Sequence, residues 1–419
     1  MNMLDEVQYI MDLQATTARI WQALDTLKNF TANPGKGVTR LPYTTEAKQA
    51  CSFLREIIED AGLQVRLDNS GALIGRLEGV VSETVLIGSH FDSVKNGGAF
   101  DGIAGVVCAI EVARALAEDK VQPYYSLEVI ATNDEEGARF HAGLFTGKVM
   151  AGQISVADLQ AHTDENGISI YQAMVAFGLH PDEIQNHVRN DIKAFMEIHI
   201  EQGPVLEAEE KQIGIVDVIV GIKRALITVH GRADHSGTMP MHMRKDALEL
   251  ATKAISKISD RARNYPGSVA TVGFLQVEPN VMNIIPQKVS FTVDIRGTDE
   301  EVIKEQYAAL ETDLQHLSDT MDMKVNAEDL LWEKPVAMDE YLRNSIELAC
   351  DNHGFTYMHL PSGAGHDAQI FAERFPTAMI FVPSENGRSH CPEEYSNVED
   401  LAAATQVMYD VVAQALSNK

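Results

Sequence analysis

The chain has 419 residues, 45% of them hydrophobic, and a formal net charge of -27 at pH 7. This length exceeds what one hydrophobic core usually organises, so we expect two domains. The negative charge disfavours binding to nucleic acid or to an anionic membrane surface, because both carry charge of the same sign.

Signals for export or for a membrane are not found in the sequence. The first thirty residues mix acidic and apolar side chains as an amphipathic helix does, without the basic start and apolar core of a signal peptide. No apolar run approaches the length of a membrane span. The four cysteines, Cys51, Cys108, Cys350 and Cys391, form no CxxC pair and are typical of free thiols in a reducing compartment. We expect a cytoplasmic enzyme.

Short β-rich runs alternate with helical patterns from about residue 84 onwards. TVLIGS is followed by the helical pattern GIAGVVCAIEVARALAED and then by SLEVIATN, and AFMEIHI and TAMIFVP continue the series. This alternation predicts an α/β fold with a mainly parallel sheet and helices on both faces. In such a sheet the binding crevice lies beyond the carboxyl ends of the strands.

A different pattern occupies residues 214–330. The runs RALITVHG, SVATVGFLQV, KVSFTVDIRG and MKVNAE predict strands, with helical stretches near 244–262 and after Asp299. The order strand, helix, strand, strand, helix, strand is that of a ferredoxin-like α+β sandwich. We therefore predict one domain built from 1–213 and 331–419, and a second domain, 214–330, inserted into it.

The segment GSHFDSVKNGGAFDG contains the first candidate site residues. A buried type of strand delivers His90 and Asp92 to the edge of the sheet, on the same side of an extended backbone. A carboxylate such as Asp92 can hold the second ring nitrogen of a metal-binding imidazole. Asp101 precedes a predicted helix, where its carboxylate is compatible with the helix dipole. Taken singly, an N-cap role for Asp101 and a structural role for His90 are the commoner interpretations.

The segment LEVIATNDEEGARF places Glu135 and Glu136 together where an apolar strand ends. Neighbouring carboxylates at the mouth of a buried strand are costly unless a cation compensates them. One of them as a metal ligand and the other as a proton acceptor would explain the pair. An exposed acidic turn is the alternative in a chain this acidic.

Two histidines complete the set. His199 ends the strand pattern of MEIHIEQGP, and His390 lies in NGRSHCPEE, after the run TAMIFVP. Carboxylates and imidazoles thus converge at the predicted carboxyl ends of strands in one sheet, which favours a metal site over separate structural roles. Mixed nitrogen and oxygen ligands suit Zn²⁺, with Mn²⁺ or Co²⁺ as substitutes. Cys391 could add a soft ligand, but a small, partly buried side chain is its commoner role.

Nine motifs run in order from residue 88 to 394: GSHFDSV, NGGAFDG, DEEGARF, EIHIEQGP, ADHSGTMPM, PNVMNIIP, DIRG, SGAGHDA and VPSENGRSHCPEE. Together they resemble the M20 metallopeptidase and amidohydrolase family, in particular its N-carbamoyl-L-amino-acid hydrolases and allantoate amidohydrolases. The resemblance implies a zinc-peptidase-like catalytic domain. The histidine at 199, where peptidase relatives carry a carboxylate, is a mark of the carbamoyl-hydrolase branch.

The resemblance also implies site roles. Asp101 would bridge two metal ions, His90 and His199 would complete one site, and Glu136 and His390 the other. Glu135 would be the general base, and Asp92 would orient the groups around it. The implied substrate contacts are Gln202, His235, Asn283, Arg296 and Gly365.

Three of these substrate residues lie in the inserted domain, which in this family pairs across a homodimer and closes over the neighbouring active site as a lid. The planar fork of Arg296 suits a substrate carboxylate, although a surface arginine is the plainer interpretation. His235 and Asn283 can donate to the oxyanion of a tetrahedral intermediate. His366 and Asp367 adjoin the substrate loop without an assigned role.

The hypothesis from the sequence is metal-dependent hydrolysis of a linear amide, the ureido group of an N-carbamoyl-L-amino acid or of allantoate. Glu135 would take a proton from metal-bound water, and the resulting hydroxide would attack the carbamoyl carbon. A dipeptidase or aminoacylase using the same metals is the alternative among enzymes. A non-catalytic binding or dimerisation protein with this fold is the alternative from another class.

Overall fold

In a computed structural model that describes residues 11–118 and 123–417, the chain divides into two compact units. The first unit comprises the chain up to Asp217, Ala337–Leu360 and the chain from Gly365, and the second comprises Val218–Val336 and Pro361–Ala364. The observed borders lie a few residues beyond the expected ones at 214 and 330. The segment 361–364 was predicted to lie in the first domain but belongs to the second unit. It is held there by a hydrogen bond from Val220 N to the carbonyl oxygen of Ser362 at 3.0 Å.

The main sheet lies largely in the first unit. Its strands are β1 (Gln64–Leu67), β2 (Leu73–Leu77), β3 (Thr84–His90), β4 (Ser126–Thr132), β5 (Ile192–Ile200), β6 (Ile213–Ile219), β12 (Val336–Ala337), β13 (Tyr357–Ser362) and β14 (Thr377–Val382). Among the described residues their order is β1-β2-β4-β3-β5-β14-β6-β12, with β13 paired to β6. The central strands β4, β3, β5 and β14 are parallel to one another, and β2 and β6 flank them in antiparallel orientation.

The helices of the first unit are α1 (Leu13–Leu27), α2 (Thr45–Asp60), α3 (Ile103–Glu118), α4 (Phe145–Met150), α5 (Val156–Ala161), α6 (Ile170–Phe177), α7 (Val205–Ala208), α10 (Glu340–His353), α11 (Asp367–Ala372) and α12 (Val398–Ser417). Alternate residues of β5 show that helices cover both faces, because successive side chains of a strand point to opposite sides. Phe195 packs against Phe371 of α11, whereas Met196 and Ile198 belong to the hydrophobic core shared with α3 and α12. This is the predicted α/β fold.

Helix α3 explains how tightly this core is built. Its sequence is apolar on nearly every side, and nearly all its residues are buried. A Cβ atom on Gly105 would lie 1.9 Å from the carbonyl oxygen of Ile198, so only glycine lets the helix rest this closely on β5. The start of α3 is thereby held at the carboxyl ends of β3 and β5.

The second unit contains β7 (Gly221–His230), α8 (Ala247–Ala262), β8 (Ser268–Thr271), β9 (Leu275–Glu278), β10 (Lys288–Gly297), α9 (Glu300–Met321) and β11 (Lys324–Glu333). Its strands are antiparallel in the order β11-β7-β10-β8, and β9 also pairs with β10. The buried face of the sheet forms a separate core with α8 and α9. A short 3-10 helix of this unit spans Met241–Met243, and two in the first unit span Pro181–His187 and Glu385–Gly387.

The run SVATVGFLQV, expected as one strand, is divided. Thr271 pairs with Asp294, and Leu275 pairs with Phe291. The three residues 272–274 therefore lie opposite only two residues of β10, 292 and 293. The extra residue falls in a break in the strand at 272–274, with Gly273 at its centre. Among the described helices, none has the length and apolarity needed to cross a membrane.

Candidate metal centre

His90 is the last residue of β3 and is buried. Its Nδ1 lies 3.1 Å from the backbone carbonyl oxygen of Asp92 and 3.8 Å from the carboxylate of the same residue. Nδ1 therefore carries the proton and donates to the carbonyl oxygen. Nε2, on the other side of the ring, is then the nitrogen with a free lone pair. Burial lowers the pKa of His90 to about 4, so the imidazole is neutral near pH 7, the form that binds metal ions.

Asp92 has a different partner from the one expected. The sequence suggested that its carboxylate would hold His90, but the carboxylate accepts hydrogen bonds from the backbone N–H groups of Glu135 (3.1 Å) and Glu136 (3.3 Å). Burial raises its pKa to about 7, although these two N–H groups act in the opposite direction. Asp92 thus ties the end of β3 to the turn that carries the acidic pair.

Asp101 lies just before α3 and is the most connected carboxylate of the site. Its Oδ1 is 3.3 Å from His199 Nε2 and 3.9 Å from His90 Nε2, and its Oδ2 is 3.1 Å from His390 Nε2. Burial alone would raise its pKa, but the hydrogen bond from His390 and the neighbouring imidazoles hold it well below its ordinary value. Gly102 has φ 65°, and a Cβ there would lie 2.3 Å from the His90 ring, so glycine is required for this approach.

Glu135 and Glu136 follow β4 on a turn in which Asp134 has φ 61°. Burial, then Glu136 and Asp367, raise the pKa of Glu135 well above its ordinary value. Its two oxygens lie 3.9 Å from His90 Nε2 and 3.9 Å from His366 Nδ1. Glu135 therefore faces the imidazoles without a close ion pair to them.

Glu136 approaches the cluster from the same turn. Its Oε1 is 3.3 Å from His390 Nε2. Burial raises its pKa to about 8, opposed by the hydrogen bond from His390. Hydrogen bonds to Asp101 and Glu136 in turn raise the pKa of His390 to about 11.

His199 is the penultimate residue of β5 and is buried. Its Nδ1 lies 2.9 Å from the carbonyl oxygen of Ile200, and its Nε2 lies 3.4 Å from His90 Nε2. Two unprotonated imidazole nitrogens so close together repel each other unless a proton or a metal ion lies between them. Burial lowers the pKa of His199, which favours a metal ion in that role.

The described residues contain two sets of ligand atoms that match the sets expected from the sequence. His90, Asp101 and His199 form one, and Asp101, Glu136 and His390 form the other, with the ligand atoms of each set within 4.8 Å of one another. Asp101 belongs to both. A third set, Glu197, His199 and His366, shares His199 with the first.

The expected substrate residues fall into two groups. Gln202, with φ 58°, places its Nε2 3.1 Å from Asp101 Oδ1 and 3.3 Å from His390 Nε2, and Gly365 directly precedes His366. His235, Asn283 and Arg296 belong to the second unit.

The three residues of the second unit have local partners there. The Nδ1 atom of His235 accepts from Gly237 N (3.1 Å) and Thr238 N (3.2 Å), so Nε2 carries the proton and is a donor. His235 and Asn283 are both exposed. Arg296 donates from Nε to Asp294 (2.9 Å) and from Nη1 to the carbonyl oxygen of Gly363 (2.8 Å).

Residues 82–414 match the sequence profile of peptidase family M20/M25/M40. The chain belongs to this family. It is 40% identical over 408 residues to an N-carbamoyl-L-amino-acid amidohydrolase of Paenarthrobacter aurescens, which covers 96% of this chain and 99% of that protein. It is 37% identical over 392 residues to an allantoate amidohydrolase of Escherichia coli, which covers 93% of this chain and 95% of that protein.

A solved structure agrees with this assignment. The chain has a TM-score of 0.90 and 32% identity to an amidase of the hydantoinase/carbamoylase family from Burkholderia multivorans, covering 96% of this chain and 98% of that chain. The predicted M20 membership and the predicted α/β fold are both confirmed.

Three residues of this M20 site were not assigned from the sequence. Glu197 and His366 join His199, and Glu394 accepts hydrogen bonds from the backbone of Asp101 and of His390. Glu197 could have been found, because it lies two residues before His199 and therefore shares its side of β5. Glu394 gave no such signal.

Proposed function

We propose that this chain hydrolyses a C–N bond of a ureido group in a small acid, an N-carbamoyl-L-amino acid or allantoate, with the help of two divalent cations. The observation that carries the proposal is the pair of ligand clusters that share Asp101, with the buried carboxyl group of Glu135 beside them. The full-length relatives described above are amidohydrolases, so the prediction of an amidohydrolase is confirmed in preference to a dipeptidase or a non-catalytic scaffold.

The donor atoms fit such cations. Two carboxylates and three imidazoles, His90, Asp101, Glu136, His199 and His390, would hold two ions with mixed oxygen and nitrogen ligands, which suits Zn²⁺ and also Mn²⁺ or Co²⁺. When bound, the cations polarise the scissile carbonyl oxygen and make water acidic enough to act as a nucleophile near neutral pH.

Glu135 is the proposed general base. Its carboxyl group is buried and has no arginine or lysine within ion-pair distance among the described residues. Burial and the neighbouring Glu136 and Asp367 raise its pKa well above its ordinary value, and a raised pKa is what a carboxylate needs to accept a proton from water. It would take a proton from the attacking water and return it to the leaving nitrogen. Asp92 holds the backbone N–H groups of Glu135 and Glu136 and so fixes the orientation of the acidic turn.

Substrate contacts are proposed for Gln202, His235, Asn283, Arg296 and Gly365. The guanidinium group of Arg296 would bind the substrate carboxylate. His235 would donate from Nε2 to the oxyanion that develops during attack, since its Nδ1 is occupied as an acceptor. The amide of Gln202 lies beside Asp101 and His390, within reach of a substrate bound at that cluster.

Homodimerisation through the second unit, its action as a lid and the cytoplasmic location stay predictions, as do the absence of nucleic-acid and membrane partners.

The decisive experiment combines elemental analysis with a substrate panel on protein reconstituted with Zn²⁺, Mn²⁺ or Co²⁺. The panel contains N-carbamoyl-L-amino acids, a β-ureido acid, allantoate, N-acyl amino acids and dipeptides. We expect about two ions per chain, turnover of ureido acids and loss of turnover after chelation. Turnover of dipeptides or N-acyl amino acids alone would contradict the proposal, and so would protein that takes up no divalent metal.

A further inference from the structure

Glu394 is a buried acidic residue in the loop that follows His390. The residue has a relative exposure of 5%. One carboxylate oxygen accepts hydrogen bonds from the backbone N–H groups of Phe100 (3.0 Å) and Asp101 (2.9 Å). The other accepts from Ser389 Oγ (2.9 Å) and from the backbone N–H of His390 (3.2 Å).

These four hydrogen bonds join two loops that are far apart in the chain. One loop carries Asp101 and the other carries His390, and both side chains belong to the cluster that also contains Glu136. The same carboxylate therefore holds the backbone of two of the three members of that cluster.

Two further observations indicate that the arrangement is specific. A Cβ atom on Gly98 would lie 2.1 Å from Glu394 Oε1, so the Asp101 loop approaches the carboxylate as closely as only glycine permits. His390 has φ 57°, a backbone conformation that costs a non-glycine residue free energy and persists only where its surroundings hold it. The hydrogen bond from His390 N to Glu394 is one such restraint.

We propose that Glu394 is a positioning residue that holds Asp101 and His390 at a fixed separation and thereby sets the affinity of the Asp101, Glu136 and His390 cluster for its cation. The inference rests on the proposed function, since it requires that this cluster bind a metal ion. Glu394 belongs to none of the ligand sets, and its four hydrogen bonds go to protein groups. Groups that orient metal ligands typically change metal affinity by about 10- to 100-fold when they are replaced.

The central variant is Glu394→Gln. Glutamine keeps the length of the side chain, and its carbonyl oxygen can still accept from Phe100 and Asp101. Its NH₂ group can donate to Ser389 Oγ but opposes the N–H of His390, since both are donors. The substitution should therefore release His390 and leave the Asp101 loop in place.

Metal binding is measured by titrating the metal-free protein with Zn²⁺ against a competing chelator. Glu136→Gln identifies which of the two binding steps belongs to the cluster that contains His390. Glu394→Gln should weaken that same step by about 10- to 100-fold and leave the other nearly unchanged. Glu393→Gln is the matched control, because Glu393 is the exposed neighbouring residue and pairs with Arg388; it should alter neither step.

A milder variant covers the case in which Glu394→Gln does not fold. Ser389→Ala removes one of the four hydrogen bonds and should weaken the same step by roughly 2- to 10-fold.

The outcomes separate the two claims. If wild-type protein binds two ions and Glu394→Gln binds both with unchanged affinity, the positioning role is wrong and the proposed function stands. Equal weakening of both steps, or a lower melting temperature of the metal-free variant without any change in affinity, would indicate a purely structural role and also overturn it. Wild-type protein that binds no divalent ion would overturn the proposed function and this inference together.

Discussion

One carboxylate in the second unit and the carboxylates of the metal cluster in the first unit are compensated in opposite ways. In the second unit the carboxylate of Asp294 accepts hydrogen bonds from Arg224 and Arg296. These hydrogen bonds hold the pKa of Asp294 below its ordinary value, although partial burial acts in the opposite direction. In the first unit no arginine or lysine nitrogen of the described residues lies within ion-pair distance of Asp101, Glu135 or Glu136, although all three carboxylates are largely buried.

This contrast indicates where a cation is needed. Buried carboxylates without an arginine or lysine partner are costly, and metal ions are the usual compensation when imidazoles lie beside them. Asp294 is compensated by its two arginines and needs no metal ion. The sheet of the second unit is also antiparallel with one buried face, whereas the parallel strands of the first unit bring their carboxyl ends to one edge.

The largest expected effect comes from Asp101→Asn. Because Asp101 belongs to both ligand clusters, the variant should lose both metal-binding steps, and turnover should fall by on the order of 10⁴-fold or more. Glu136→Gln should lose one step only. Elemental analysis of the two variants measures the difference, and two retained ions in Asp101→Asn would remove the basis for a shared ligand.

Glu135→Gln should have the next largest effect. The amide cannot accept a proton, so kcat should fall by about 10²- to 10⁴-fold while the metal content stays that of the wild type. Steady-state kinetics and elemental analysis check both parts. Near-normal kcat would mean that another group is the base, and loss of metal would mean that Glu135 is a ligand.

Arg296→Lys tests whether the internal pairing of the second unit leaves Arg296 able to bind substrate. Lysine cannot reproduce the planar fork, so KM should rise by about 10- to 100-fold with a smaller change in kcat. Arg224→Lys is the matched control, because Arg224 pairs with the same Asp294 but has no proposed substrate role. Equal effects of the two variants on KM would identify Arg296 as structural.

The smallest expected effect is a pH dependence of metal binding. Burial raises the pKa of Glu136 to about 8, and the proton on His390 must also leave before the ligand atoms can bind. Each group with a raised pKa holds its proton below that pKa, so metal affinity should rise with pH by up to about tenfold per unit for each protonated group. This applies to His390 across the whole neutral range and to Glu136 only below about pH 8. Titration calorimetry in buffers of different ionisation enthalpy should detect proton release, and affinity independent of pH would contradict this.

Much of the candidate site could be predicted because its signals are local. His90, His199 and the acidic pair each follow a short apolar strand pattern, and parallel strands present their carboxyl ends at one edge of a sheet. Residue type and position along each strand were sufficient to place these side chains near one another.

Other features depended on contacts that no local pattern contains. The break in the 268–277 run follows from one extra residue opposite β10, which becomes visible only when the strand register is known. From the sequence, the carboxylate of Asp92 could accept a hydrogen bond from an imidazole or from the backbone of a turn. It accepts from the backbone of Glu135 and Glu136, because the chain turns towards it after β4.

The sequence by itself determined which ligand types stand at the ends of the strands, since strand periodicity and residue chemistry are properties of short segments. Only the tertiary structure decided which loops meet. Glu394 and Asp101 are joined by a hydrogen bond across 293 residues of chain, and the packing of α3 against the sheet brings their loops together. A contact of that kind depends on the whole fold, because neither segment carries information about the distance to the other.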